Sequence, residues 1–230
     1  LAASRRFIAR EAEADGVKVT SYVFEGHESA GDRAARTAAK ALSLFSQKFG
    51  LYPYSSLSIV EVESFDGLEG GSLFFLPLRY YAAYDGTWQN ELTAVSAHET
   101  AHAWWFGSVG NDQALEPWLD EALAMYSERI YFEQESFDAM NWWWNFRVRV
   151  FEPGGFVDDS IYAHGNYRSY TNAAYRMGAY FLDDLRARMG DEAFFGFLAD
   201  YARKNMDKIV TREDFFALLN QHTDVDYADL

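Results

Sequence analysis

The chain has 230 residues, of which 49% are hydrophobic and 18% aromatic, and it carries a formal net charge of −15. This length and composition suffice for one large domain, or for two lobes, with a substantial core, and they exclude an intrinsically disordered chain. The negative charge argues against a nucleic-acid partner, the absence of cysteine excludes disulfides and thiolate metal ligands, and no run of about eighteen apolar residues exists that could span a bilayer.

The first half of the chain carries the signals of strands around one long helix. The predicted elements are a strand at residues 17–24, a helix at 29–49, and strands at 57–62 and 73–76. The helix is Ala-rich with apolar residues at helical spacing and ends at Gly50, whereas the strands are short apolar runs. Pro53 lies between the helix and the strand at 57–62, and a Gly-rich stretch at 64–72 lies between that strand and the next. This half predicts a sheet-containing lobe over residues 1–87.

The second half, residues 88–230, has the pattern of helices almost throughout. Helices are predicted at residues 88–105, 117–132, 141–150, 171–190, 191–204 and 212–220, with a loop from 153 to 170. Pro117 suits the first helical position, and Thr211 with Asp214 is a predicted capping pair. The tryptophans at 142–144 are interpreted as core residues. We therefore predict an α+β chain in which a small mixed β-sheet lobe precedes a helical lobe.

The most informative stretch is His98-Glu99-Thr100-Ala101-His102. On a helix, His98 and His102 lie about 40° apart around the axis and one turn apart along it, so both imidazoles can reach one ion. Glu99 lies roughly 100° from His98 and 60° from His102, and it flanks the same face. The pattern is typical of a helix that binds zinc through its two histidines.

A third ligand is available in Trp118-Leu119-Asp120-Glu121. Eighteen residues separate His102 from Glu121, enough to end one helix, turn and begin another. Two imidazole nitrogens and one carboxylate oxygen leave the fourth tetrahedral position of zinc open to water, which is the catalytic arrangement, whereas structural sites are closed by four protein ligands. We predict one Zn²⁺ per chain, held by His98, His102 and Glu121. Two satisfied surface histidines are the alternative interpretation.

Two further acids have predicted roles beside these ligands. Glu99 is the predicted general base, because a carboxylate within reach of zinc-bound water takes its proton as the water attacks a carbonyl. Glu128 lies two turns beyond Glu121 on the same helix face and could accept the free N–H of a zinc histidine, which would fix its tautomer. A solvated helix face is the alternative for Glu128. The remaining histidines have no partner spacing and are interpreted as structural or exposed: His27, His164 and His222.

The residues around this signature resemble a known family. The signature resembles that of the gluzincins, and Trp104-Trp105-Phe106-Gly107 and Trp118–Glu121 resemble the membrane-alanyl-aminopeptidase family, which includes leukotriene hydrolases. Upstream, Asp66-Gly67-Leu68-Glu69-Gly70 resembles the family's Gly-x-Met-Glu-Asn exopeptidase motif, and downstream Tyr175-Arg176-Met177-Gly178 resembles its Tyr-x-Lys-Gly motif. Departures from the family pattern include Leu68 in place of Met, Gly70 in place of Asn and Met177 in place of Lys.

The resemblance implies a fold and an activity. The expected fold is a thermolysin-like zincin domain over residues 1–230, with the zinc helix at the junction of the sheet-containing and helical lobes. Family members place a β-rich domain before this domain and usually a helical domain after it, and neither neighbour is expected within these 230 residues. The expected reaction is hydrolysis of the N-terminal peptide bond of a peptide with a free N-terminus. The resemblance is closest to bacterial cell-envelope members.

The resemblance also implies roles for three further residues. Tyr175 would donate its O–H to the oxyanion of the tetrahedral intermediate. Glu69 would meet the terminal ammonium of the substrate, and Gly67 would let backbone approach the substrate closely. The rivals of Tyr175 are the tyrosines of the preceding loop: Tyr162, Tyr167 and Tyr170.

Two alternatives to an aminopeptidase remain open. The first is an endopeptidase of the same fold, from which the ammonium-binding role of Glu69 distinguishes the expected enzyme. The second is a non-catalytic scaffold, for which loss of Glu99 or of a zinc ligand would be expected, yet all four residues are present.

Overall fold

The computed structural model describes residues 5–64 and 66–227. The strands are β1 (Ile8–Ala14), β2 (Val17–Val23), β3 (Ser56–Val62), β4 (Leu73–Pro77), β5 (Val109–Asn111) and β6 (Lys208–Val210). The α-helices are α1 (Glu28–Phe49), α2 (Leu78–Ala82), α3 (Glu91–Ala101), α4 (Trp118–Glu135), α5 (Phe137–Trp143), α6 (Tyr167–Thr171), α7 (Gly178–Met189), α8 (Asp191–Lys204) and α9 (Arg212–Leu219). Segments Trp144–Val148 and Asn172–Met177 are π-helical, and Arg149–Phe151 and Ile161–Ala163 are 3₁₀-helical.

The chain divides into two compact units, Leu1–Ser46 with Leu51–Ala103, and Gln47–Gly50 with Trp104–Leu230. The sequence places the zinc helix at the start of the helical lobe, after residue 87. In the structure α3 belongs to the first unit because it packs against α2 and β4. That the two units form one catalytic domain stays a prediction.

The first unit contains a mixed four-stranded sheet in the order β1-β2-β3-β4. Strands β1 and β2 pair antiparallel, and β2–β3 and β3–β4 pair parallel. The strands β2, β3 and β4 confirm the predicted strands. The sequence prediction missed β1, although Asp15-Gly16 carries its signal. Both residues have positive φ, 53° and 78°, as a two-residue hairpin turn requires.

Helix α1 confirms the prediction over 29–49. One face is fully buried and consists of small and apolar side chains: Ala34, Ala35, Ala38, Ala41, Leu42 and Phe45. The helix ends at Gly50, whose φ of +116° lies in a region that other residues rarely adopt. None of the helices in the described part of the chain is long and apolar enough to cross a membrane.

The second unit is helical around α4, which is buried from Trp118 to Phe132. Helix α4 packs against α5, α7 and the π-helical segment Asn172–Met177. Of the three consecutive tryptophans, Trp143 and Trp144 are buried, as predicted. The parallel pair β5–β6 is an addition to the prediction, because three-residue strands leave little signal in a sequence. The capping box of Thr211 and Asp214 is confirmed.

Helix α3 is shorter at both ends than the predicted helix over 88–105. It begins after Asn90, whose side chain accepts a hydrogen bond from the Thr93 N–H at 2.9 Å. The chain leaves the helix after His102, and Phe106 has a φ of 110°. Beyond the helix end, the Trp104 indole N–H donates to the Gly50 carbonyl at 2.8 Å.

Candidate metal centre

Helix α3 places the two predicted histidine ligands in a buried setting, His98 within the helix and His102 as its C-cap residue. Every residue from Leu92 to Ala101 is buried, so the helix has no solvent-facing side. His98 is 5% and His102 1% exposed, and their ring centroids lie 4.9 Å apart. The side-chain O–H of Thr100 donates to the Ser96 carbonyl at 2.7 Å, which satisfies a hydroxyl that would otherwise be buried without a partner. The two imidazoles are therefore buried next to each other at the end of α3.

The third predicted ligand lies beside them. The ligand atoms of His98, His102 and Glu121 all lie within 4.8 Å of one another, and all three residues are buried. It is the one such group of metal-binding side chains in the part of the chain that the structure describes. Two imidazole nitrogens and a carboxylate oxygen are the donor set of catalytic zinc sites, so these residues fit a zinc ion.

Glu99 lies against the Gly-rich segment. Its side chain is 5% exposed, and a Cβ atom added to Gly67 would lie 2.2 Å from Glu99 Oε1. A side chain at position 67 would therefore collide with the predicted general base. The Gly67 N–H donates to Asp66 Oδ1 at 3.0 Å, which holds the backbone at this place.

The Gly-rich segment is tied to the edge of the sheet. Leu68 pairs with Phe75 of β4 through two backbone hydrogen bonds of 3.1 and 3.0 Å. A Cβ atom at Gly70 would lie 2.3 Å from the Leu73 carbonyl oxygen, which gives a steric reason for glycine where the family pattern has Asn. Glu69 stands between these two fixed points and is half-buried. The segment is thus a held loop next to the base.

Glu121 lies in the first turn of α4, where its backbone is fixed by the residue before it. The Glu121 N–H donates to Asp120 Oδ1 at 2.8 Å and to the Pro117 carbonyl at 3.0 Å. Asp120 is fully buried, and its Oδ2 accepts from Gln113 Nε2 at 2.8 Å. Sequence reasoning missed both Asp120 and Gln113.

Tyr175 lies beside Glu121. It belongs to the π-helical segment Asn172–Met177, and such segments are frequent at functional sites. Burial, then the negative charge of Glu121 and the neighbouring Tyr170 and Tyr167, raise the pKa of Tyr175 well above its ordinary value. The phenol is therefore protonated at neutral pH and is a hydrogen-bond donor. Its ring packs edge-on against Tyr170 at 5.6 Å.

Gly178 explains how the Tyr175 segment approaches α4. A Cβ atom at Gly178 would lie 2.4 Å from the Ala122 Cβ, so the two helices touch where only glycine fits. Ala122 follows Glu121 directly, and Gly178 lies three positions after Tyr175. The glycine of the Tyr-x-x-Gly stretch therefore has a packing function that brings Tyr175 to the Glu121 carboxylate.

Glu128 is fully buried and its carboxylate is held by two residues that the sequence prediction missed. Arg147 donates from Nε to Oε2 at 2.8 Å and from Nη2 to Oε1 at 2.7 Å, and the Trp143 indole N–H donates to Oε2 at 2.8 Å. The predicted contact of Glu128 with a zinc histidine stays a prediction. Among the other histidines, His27 hydrogen-bonds buried Glu61 at 2.6 Å, which agrees with a structural role.

The chain is similar to known proteins in both sequence and structure. Residues 33–230 match the model of the peptidase family M1 domain. Aminopeptidase M1-B of Oryza sativa subsp. japonica is 27% identical over 233 residues, which cover 94% of this chain and 26% of the relative. Aminopeptidase O of Homo sapiens is 24% identical over 216 residues, which cover 80% of this chain and 26% of the relative. The chain thus spans about a quarter of the length of these curated relatives.

Solved structures match over nearly the whole chain. An M1 zinc metallopeptidase from Deinococcus radiodurans superposes with a TM-score of 0.69 at 23% identity, over 94% of this chain and 48% of that chain. A mutant form from the same organism, bound to a Tyr-Ser-Ala substrate, gives 0.69 at 22% identity over 95% of this chain and 49% of that chain. At this identity the likeness establishes the fold, a mixed sheet with helices.

Proposed function

We propose that this chain, which belongs to peptidase family M1, is the catalytic domain of a zinc-dependent aminopeptidase that hydrolyses the N-terminal peptide bond of peptides. The observation that carries the proposal is the buried group of His98, His102 and Glu121, with Glu99 next to the first histidine. We also propose that α3 is the zinc helix of a thermolysin-like fold, where a sheet-containing lobe meets a helical lobe.

The residues of the chain divide the chemistry between them. His98, His102 and Glu121 would hold one zinc ion, which when bound lowers the pKa of its water to about 7 and polarises the scissile carbonyl. Glu99 takes the proton of the attacking water and passes it to the leaving amine. Tyr175, protonated as described, donates its O–H to the oxygen on which negative charge develops.

The Gly-rich segment would select the substrate. Glu69 is the half-buried acid of this segment, and a charge-assisted hydrogen bond to the terminal ammonium would allow only the first peptide bond to reach the water. The curated relatives that match are named aminopeptidases, and the Tyr-Ser-Ala complex concerns a solved structure of the same fold. Both favour a peptide with a free N-terminus as the substrate class.

Exchange of Glu99 for Gln tests the proposal, because the amide keeps the shape of the side chain but cannot accept a proton. We expect Glu99→Gln to retain zinc and to lose about 10²–10⁴ in turnover of an aminoacyl substrate. Glu91→Gln is the matched control, since Glu91 is an exposed acid on the first turn of the same helix. Near-full turnover by Glu99→Gln would remove Glu99 from the role of base.

Measuring the zinc content of variants tests the ligand assignment independently of catalytic activity. His102→Ala should lose zinc, measured by elemental analysis of the purified protein, whereas Glu99→Gln should not. Equal zinc content in His102→Ala and wild type would refute the ligand set. A zinc-loaded wild type that hydrolyses neither free nor N-acetylated peptides would favour the non-catalytic scaffold, and efficient internal cleavage of N-acetylated peptides would favour the endopeptidase.

A further inference from the structure

Two arginines of the second unit share one aromatic ring. The guanidinium carbon of Arg176 lies 3.8 Å from the Phe151 ring centroid, and that of Arg168 lies 4.6 Å from the same centroid. Arg147 lies next to them, since Arg176 Nε donates to the Arg147 carbonyl at 3.1 Å. Positive charge therefore collects around Phe151, in a chain whose net charge is −15.

Neither Arg168 nor Arg176 has a carboxylate partner within the described residues 5–64 and 66–227. Arg176 Nη1 donates to Thr171 Oγ1 at 2.8 Å and Asn172 Oδ1 at 3.1 Å, and both acceptors are uncharged. Burial, followed by the charges of Arg147 and Arg168, lowers the pKa of Arg176 to about 10, so it stays protonated at neutral pH. The negative charge of Glu128 offsets part of the repulsion between the guanidinium groups, but the Glu128 carboxylate is hydrogen-bonded to Arg147.

Three other arginines, which are buried or half-buried, do have carboxylate partners. Arg147 is paired with Glu128, Arg186 with Glu133 and Asp191, and Arg129 with Glu133 and Asp183. The chain has 35 acidic residues against 20 lysines and arginines. The lack of a carboxylate partner for Arg168 and Arg176 is therefore not due to a shortage of acidic residues. A guanidinium group without a carboxylate partner of its own can pair with the carboxylate of a ligand.

A row of tyrosine rings connects this cluster with Glu121. Tyr175 is close enough to Glu121 to interact with it electrostatically, its ring contacts Tyr170 with the centroids 5.6 Å apart, and Tyr170 contacts Tyr167 with the centroids 6.0 Å apart. Tyr167 precedes Arg168, and it is close enough to interact electrostatically with both Tyr175 and Arg176. A peptide whose carbonyl lies at Tyr175 could therefore extend toward the two arginines.

We propose that Arg168 and Arg176, held against Phe151, bind the C-terminal carboxylate of short peptide substrates. This inference rests on the proposed function and narrows its substrate class to peptides of a few residues with a free C-terminus. A planar guanidinium matches a carboxylate in two parallel hydrogen bonds. Arg168 is exposed and its guanidinium group makes no hydrogen bond within the described residues, so its side-chain donors are available.

Binding of matched peptides tests the inference without turnover. Zinc-loaded Glu99→Gln protein is titrated calorimetrically with peptides of two to five residues, each as the free acid and as the C-terminal amide. We expect the acid of at least one length to bind about tenfold more tightly than its amide, the usual size of a hydrogen-bond contribution to a charged group. Equal affinities at every length would overturn the proposal, whether or not the wild type proves to be an aminopeptidase.

A second substitution in the same background assigns the effect to Arg168. Arg168→Gln should bring the acid-to-amide ratio close to one, and Arg168→Lys should retain part of it. Arg149→Gln is the matched control, because Arg149 is exposed nearby and contacts Asn145 and the Trp144 ring, not Phe151. The proposal is overturned if Arg168→Gln and Arg149→Gln leave the same ratio. It is also overturned if a peptide amide ending in Glu binds as tightly as the free acid, because the ligand would then be an acidic side chain.

Discussion

Gly67 lies so close to Glu99 that a Cβ atom at position 67 would come within 2.2 Å of the carboxylate oxygen Oε1. Real Cβ atoms are essentially never this close to an oxygen, so any other residue at position 67 must displace Glu99 or the loop. The loop is poorly able to move, because Leu68 is hydrogen-bonded twice to Phe75. The absence of a side chain at position 67 thus leaves room for the Glu99 carboxylate, in addition to letting the backbone approach the substrate.

We predict that Gly67→Ala retains zinc and loses activity. Displacement of a catalytic group by about 1 Å can cost 10²-fold, and we expect a loss of roughly that size in kcat/KM. Gly154→Ala is the control, since a Cβ atom at Gly154 meets nothing within 4 Å. Steady-state kinetics with metal analysis decide the matter, and full activity in Gly67→Ala would mean that the loop yields without disturbing Glu99.

The proposed zinc ligands can be recognised in the sequence because their geometry is local. The spacing of His98 and His102 is fixed by the helix, and Glu121 follows at the start of the next predicted helix. The long elements were predictable for the same reason: α1 and α4 each carry more than four turns of signal. Strands β5 and β6 have three residues each and pair across a long sequence separation, so no local pattern announces them.

The contacts that hold the site in place were not predictable. Arg147 and Glu128 are 19 positions apart, and no helix or strand periodicity links two residues at that separation. Only the burial of Glu128, which the sequence does not show, indicates that a cationic partner is needed. The contact of Gly178 with Ala122 depends on how two helices cross. The sequence shows Gly178 as part of a motif, but only the packing shows the steric reason for glycine at this position.

We predict that Tyr175→Phe lowers kcat about 10²–10³-fold with little change in KM. The hydrogen bond of the phenol should strengthen mainly as charge develops on the carbonyl oxygen, so its loss affects the transition state more than the bound substrate. Because the pKa of Tyr175 is raised, the phenol keeps its proton throughout the neutral range. A loss of wild-type activity between pH 7 and 9 would therefore come from another group. The same loss should be seen in Tyr175→Phe.

The loop tyrosines supply the controls for this experiment. Tyr162 is 75% exposed, and Tyr162→Phe should behave as wild type. Tyr167→Phe and Tyr170→Phe remove hydroxyl groups close to Tyr175 and should have smaller effects than Tyr175→Phe. A normal kcat in Tyr175→Phe, combined with a large loss in one of these two variants, would transfer the oxyanion role to that tyrosine.

We predict that Arg147→Gln destabilises the fold strongly. Glu128 is fully buried and receives two hydrogen bonds from Arg147, so the substitution leaves a buried charge with reduced compensation. Breaking such a pair costs about 3–5 kcal/mol in the free energy of unfolding, measurable by urea denaturation. Arg149→Gln should change it by less than about 0.5 kcal/mol, as is usual for exposed positions. Similar values for both variants would refute the structural importance of the Glu128–Arg147 pair.

The selection of free N-termini by Glu69 is the most discriminating expectation for the proposed enzyme. Glu69 is half-buried between Leu68, hydrogen-bonded to the sheet edge, and Gly70, whose backbone lies against the Leu73 carbonyl. Its position is therefore fixed on both sides, and the same segment contacts Glu99 through Gly67. We expect a carboxylate in this segment to bind an ammonium group and align the first peptide bond with the attacking water.

Glu69→Gln should consequently lose the preference for free amines. Removing one partner of a desolvated charge pair costs about 2–5 kcal/mol, which corresponds to a fall of roughly thirtyfold or more in kcat/KM for a free-amine peptide. Cleavage of the N-acetylated peptide should stay at its low wild-type level. The gap in kcat/KM between the two substrates therefore narrows only because the free-amine peptide is cleaved more slowly. Glu63→Gln, an exposed acid a few residues earlier, should leave the gap intact. If Glu69→Gln still discriminates as the wild type does, the ammonium is bound elsewhere, and the assignment of Glu69 fails although the zinc chemistry stands.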